Sequence, residues 1–72
     1  MINRSYIGRR IAKLRAEKKI SQQKLGEDAD VSRNYISNIE NGKVAFSIDV
    51  LLKIADGMGV EPYQLLTDQE VN

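Results

Sequence analysis

Arg33, Asn34, Ser37, Asn38 and Asn41 are hydrogen-bonding residues set one, three and four positions apart. Wound as a helix at about 100° per residue from Arg33, they share an arc of about 0 to 140°, whereas Tyr35, Ile36 and Ile39 fall at about 200 to 300°. Arginine offers a forked pair of donors that matches guanine O6 and N7, and asparagine can both donate to and accept from adenine. The short side chain of Ser37 lets such a helix approach its target closely. A solvated face would be filled with lysine and glutamate, but this arc contains no acidic residue and several poor helix formers. Arg33, Asn34, Ser37 and Asn38 are therefore the expected base-reading residues. Tyr35 keeps two readings: it closes the edge of the core, or it turns its hydroxyl toward a phosphate.

Other chemistry finds little support. The 72 residues include no histidine and no cysteine. There is no glycine-rich phosphate loop, and one small domain lacks the volume for a usual substrate cleft. No catalytic residue, cofactor, metal site or small-molecule effector is expected. Glu27, Asp28 and Asp30 lie close in sequence, but with no further ligands converging on them they read as a solvated helix end.

The polar arc needs a scaffold, and apolar spacing with helix punctuation predicts five helical segments and an all-α fold. The first runs from about Ser5 to Lys19 with Ile7, Ile11 and Leu14 on one face. The second starts after Ser21, a good N-cap, carries Leu25 and Ala29, and ends near Asp30. The third starts after Ser32 and stops at Gly42, with Ile36 and Ile39 as its apolar stripe. Ser47 caps a fourth, whose Ile48, Leu51, Leu52, Ala55 and Met58 give the clearest helical period and whose stop is Gly59. Pro62 suits the first position of a final short helix that brings Leu65 and Leu66 inward, and Thr67 to Asn72 should fray. Segments two and three are separated only by Asp30, Val31 and Ser32. That is too little for an antiparallel hairpin, so the two helices must cross steeply, as in a helix-turn-helix over about residues 21–41.

Net charge is +1, but residues 1–24 hold eight basic side chains against Glu17 alone, leaving the remainder acidic. Such asymmetry suits an oriented approach to a polyanion. The chain reads as a single domain over residues 1–72 with its core at about 5–67. It has no apolar leader and no apolar stretch approaching the roughly 20 residues of a membrane span, so a cytoplasmic location without membrane contact is expected.

From about Ile7 to Leu66 the chain resembles the Cro and phage-repressor class of helix-turn-helix domains, also called the xenobiotic-response-element family. The matching runs are Ile11 to Arg15, Ile20 to Leu25, Val31 to Gly42, Leu51 to Val60, and Leu65-Leu66. The segment Arg33 to Ser37 also looks like the small controller proteins of restriction-modification systems. The resemblance implies a compact five-helix lambda-repressor-like domain that regulates transcription, commonly as a repressor, with the helix at about 33–40 in the major groove of double-stranded DNA. It implies that Gln22 contacts the phosphate backbone and that Asn41 and Lys43 grip it beyond the third helix. Ser21 and Ser32, at helix starts whose free N–H groups favour phosphate, join Tyr35 in that backbone set. It also places Arg15 beside Glu40 as a structural salt bridge. Two positions depart from the family pattern: Gly26 stands where alanine is usual, which should loosen the second helix, and Asp30 stands where glycine is frequent.

One recognition helix covers too few base pairs to specify a site, so a homodimer on an inverted-repeat operator is expected, joined through helices four and five. Val60, Tyr63, Leu66 and Val71 offer the apolar side chains for that contact. The rival reading is a protein-binding module such as the antitoxin of a toxin pair, which usually needs a segment beyond the few residues that follow Leu66. Single-stranded RNA binding would have only Tyr35 for stacking.

Overall fold

A computed structural model of the chain describes residues 2–67 and contains four α-helices followed by one 3-10 turn: α1 Arg4–Glu17, α2 Gln22–Ala29, α3 Arg33–Glu40, α4 Ile48–Met58, and the turn Pro62–Leu65. Each α-helix begins on a side-chain oxygen that accepts a free N–H of the first turn, which no intrahelical carbonyl could satisfy. Asn3, Ser21, Ser32 and Ser47 accept from the amides of Tyr6, Lys24, Tyr35 and Val50 respectively. The serine starts coincide with the sequence expectation. Helix α1 starts at Arg4, one residue before the expected Ser5, because Asn3 is its cap.

Helix ends are set by left-handed residues. Asp30 takes φ 60° and ψ 41° and closes α2, Gly59 takes φ 70° and closes α4, and Lys19 at φ 59° turns the chain out of α1. Helix α3 ends at Glu40, before left-handed Gly42 at φ 71°. The expected fifth helix is only the 3-10 turn. Gln64 donates its amide to the Glu61 carbonyl and Leu66 to that of Tyr63, the i to i+3 pattern of the tighter helix. The guanidinium of Arg10 then donates to the Gln64 carbonyl at 3.0 and 3.2 Å, tying this turn to α1.

The core is Ile11, Leu14, Leu25, Ala29, Ile36, Ile39, Leu51, Ile54, Ala55, Met58 and Leu65. It differs from the expected stripe of α4, since Ile48 is 68% exposed and Leu52 45%, while Ile54 is fully buried. The apolar residues of α4 cover more than half its circumference, so periodicity alone does not choose which of them face inward. Helix α3 packs on α1 and α2, α4 packs on α2, and the 3-10 turn packs on α4 and α1.

Two glycines allow the close approaches around α3. A methyl on buried Gly8 of α1 would overlap the Ile39 carbonyl oxygen. A methyl on Gly26 would lie 2.8 Å from the Val31 carbonyl oxygen. Gly26 therefore does more than loosen α2: its missing side chain makes room for the turn into α3. Among the described residues, no helix is long and apolar enough to cross a membrane.

Candidate nucleic-acid interface

Helix α3 sits with Ile36 and Ile39 in the core and Tyr35 at its edge. Arg33 and Asn34 are exposed, and Ser37 and Asn38 are half-buried. None of these four side chains is hydrogen-bonded to another group among the described residues. The start of α2 adjoins them, so Gln22, Arg33, Asn34 and Ser37 line a common groove of about 220 Å³.

The inner side of α3 is fully engaged. Glu40 is buried and accepts from Arg15 Nε at 2.7 Å and Arg15 Nη2 at 3.1 Å, the forked geometry of a guanidinium on a carboxylate. Arg15 Nη1 donates to the Ile20 carbonyl at 2.8 Å, so one side chain holds the end of α1, the α1–α2 loop and the end of α3. Gln22 Nε2 donates to Glu40 Oε1 at 3.0 Å, joining α2 to the same carboxylate. Nothing in the residue spacing signals that last bond, because Gln22 and Glu40 meet only when α2 and α3 cross.

The expected backbone-contacting residues divide. Ser21 and Ser32 use hydroxyl oxygens to cap α2 and α3, which leaves each hydroxyl proton free to donate. Asn41 Nδ2 bonds to the Ser37 carbonyl at 2.9 Å, and Tyr35 Oη donates to the Ala45 carbonyl at 3.3 Å. Tyr35 also packs against the edge of the core. Lys43 is exposed in the loop just beyond Gly42, with its amide closing onto the Asn38 carbonyl at 2.9 Å. The groups expected at a dimer contact differ in burial. Val60 and Leu66 pack against the core, Val71 lies outside the described residues, and Tyr63 is exposed, as are Ile2, Ile48 and Leu52. Among the described residues no acidic group is arranged to hold a metal ion.

Two helices crossing over a three-residue turn, with the second anchored from behind and polar in front, define a helix-turn-helix module. Residues 11–65 match the helix-turn-helix family, and the chain belongs to it. It is 39% identical over 64 residues to the control protein C.BamHI of Bacillus amyloliquefaciens, covering 88% of this chain and 79% of that one. Against the control protein C.MunI of a Mycoplasma species, identity is 41% over 64 residues, covering 88% and 86%. The restriction-modification controller protein C.AhdI from Aeromonas hydrophila has the same fold at a TM-score of 0.83 and 31% identity, covering 85% of this chain and 92% of that one. This chain is a DNA-binding transcriptional regulator of that family.

Proposed function

We propose that the chain forms a two-fold homodimer that places α3 of each copy in successive major grooves of an inverted-repeat operator, and so regulates a restriction-modification locus. The observation that carries this reading is the set of unengaged side chains on the outer arc of an anchored helix. Arg33, Asn34, Ser37 and Asn38 are the base readers. Ser21, Ser32, Asn41 and Lys43 flank them as donors to phosphate oxygens, a role that fixes register without reading sequence. Two copies reading half-sites about 34 Å apart need a contact surface away from α3. Ile48, Leu52 and Tyr63, on α4 and the 3-10 turn, are its apolar residues. The whole chain acts as one cytoplasmic DNA-binding unit, with no enzymatic role.

Selection from a pool of random duplexes, followed by sedimentation of the protein with the enriched site, tests this. An inverted repeat bound by two chains is expected. One chain per site, a dimer joined through α3, or preference for single-stranded RNA would overturn it.

A further inference from the structure

Helix α1 ends on a residue whose type and conformation disagree. Lys18 is right-handed at φ −87° and ψ −1°, and Lys19 then turns to φ 59°. Lys19 donates its amide to the Ala16 carbonyl at 3.0 Å and Ile20 donates to the Arg15 carbonyl at 3.0 Å, the paired closing bonds that favour glycine at the left-handed position. A lysine there carries a steric cost that glycine does not. Its side chain is exposed, with no hydrogen bond or ion pair among the described residues. Attraction to the negative end of the α1 dipole does not account for it, because Lys18 offers the same charge one residue earlier on an unstrained backbone.

This charge stands beside the DNA-binding face. The two residues after it are fixed: Arg15 Nη1 holds the Ile20 carbonyl at 2.8 Å, and Ser21 caps α2. There Arg15, Ser21, Gln22, Gln23 and Arg33 line an open hollow of about 600 Å³ that has no acidic residue in its lining. Through Arg33 the hollow joins the outer arc of α3. Two residues of chain span at most about 7 Å, and lysine is a point charge on a flexible four-carbon stem, so Lys19 reaches an anion at this edge without needing one fixed rotamer.

We propose that Lys19 is a further DNA-backbone residue, whose ammonium neutralises a phosphate of the strand passing the start of α2, and that a strained lysine stands there in place of glycine for the sake of that charge. The proposal rests on the DNA-binding reading above. Such a contact adds affinity for every duplex and no preference among bases. It also sets stability against binding at one position: the residue that suits the turn best is not the one that suits the phosphate.

Titration of the selected operator and of a scrambled duplex over a range of salt, with the full chain and its Lys19→Gly, Lys19→Asn and Lys19→Arg variants, decides the matter. Glycine and asparagine both accept the left-handed backbone and both remove the charge. Lys19→Gly and Lys19→Asn should bind both duplexes about threefold to tenfold more weakly, with the slope of log affinity against log salt shallower by about 1 for each chain bound. Lys19→Arg should bind as the wild type does. In urea the midpoint of Lys19→Gly should rise, which separates lost binding from a damaged fold. Unchanged affinity and slope in Lys19→Gly and Lys19→Asn would make Lys19 a solvated charge and overturn the proposal. So would a preference lost at a single base, a loss of affinity that Lys19→Arg shares, or a lower urea midpoint in Lys19→Gly. A wild type that binds neither duplex would instead overturn the DNA-binding reading itself.

Discussion

On the side of α3 that faces α1 and α2, Glu40 accepts three hydrogen bonds from Arg15 and Gln22. On the side that faces solvent, the side chains of Arg33, Asn34, Ser37 and Asn38 make none among the described residues. The two sides use the same kinds of polar atom under opposite constraints. A buried carboxylate without partners would carry a desolvation penalty, so its environment must be complete before any ligand arrives. An exposed asparagine or arginine is satisfied by water and can exchange that water for a base edge without breaking a protein bond. The inner side therefore fixes where the helix lies, and the outer side stays free to bind.

The largest effect should come from breaking the inner side. Glu40→Ala leaves the Arg15 guanidinium and the Gln22 amide without their acceptor and should destabilise the fold by about 3 to 5 kcal/mol, the usual cost of removing one partner of a buried pair. Urea unfolding measures it. Replacing both Arg15 and Glu40 by methionine should recover most of that loss, because no charge then remains buried without its partner. A double variant as unstable as Glu40→Ala would show that the pair contributes more than mutual compensation.

The outer side should respond in the opposite way. Arg33→Ala removes an exposed side chain with no partner among the described residues, so unfolding should shift by no more than about 0.5 kcal/mol. Operator affinity should nevertheless fall by about 2 kcal/mol, with preference lost at one base position, as for a forked guanine contact. Titration of operator and scrambled duplexes at one salt concentration separates this from a loss of general affinity. Equal weakening on both would remove Arg33 from the base readers.

How far the sequence reveals these two sides depends on the range of the interactions. The outer arc and the Ile36 and Ile39 stripe follow from the helical period alone, and the starts of α2, α3 and α4 follow from Ser21, Ser32 and Ser47 acting within three residues of themselves. Gln22 meeting Glu40, Arg10 meeting the Gln64 carbonyl and Gly8 meeting Ile39 are products of packing between helices distant in sequence. No local pattern marks them. The exposed face of α4 is obscure for another reason: Ile48 and Leu52 are as apolar as Leu51 and Ile54, and only the neighbouring helices decide which pair is covered. Gly26 is instructive because propensity and packing disagree. Helix propensity favours alanine there by about 1 kcal/mol. The Val31 carbonyl 2.8 Å from the added methyl opposes it. Overpacking of this kind costs about 1 to 3 kcal/mol, so Gly26→Ala should destabilise by a net of about 1 kcal/mol in urea. A stabilised variant would mean that the turn yields readily and does not hold α3 at a fixed angle to α2.

The smallest effect concerns the turn that sets that angle. Asp30 is exposed and holds φ 60°, a conformation that aspartate tolerates better than most side chains but glycine adopts without strain. It also places a negative charge at the end of α2, where the helix dipole is negative as well. Asp30→Gly relieves both, but gives the unfolded chain more freedom, worth about 0.4 to 1 kcal/mol against it. The expected balance is a stabilisation of about 0.5 kcal/mol, read as a small rise in the urea midpoint at unchanged slope. Asp30→Asn separates the two causes, because asparagine keeps the tolerance for a left-handed backbone and removes only the charge. If Asn alone reproduces the gain, the dipole is the cause and the effect should shrink in salt; if only Gly does, the cause is backbone strain, and salt should leave it unchanged. In either case Arg33, Asn34, Ser37 and Asn38 keep their positions on α3, so the operator profile should not change. A variant that gained stability but altered base preference would show that Asp30 tunes the crossing angle, and that the outer arc is not held by the Arg15, Gln22 and Glu40 network alone.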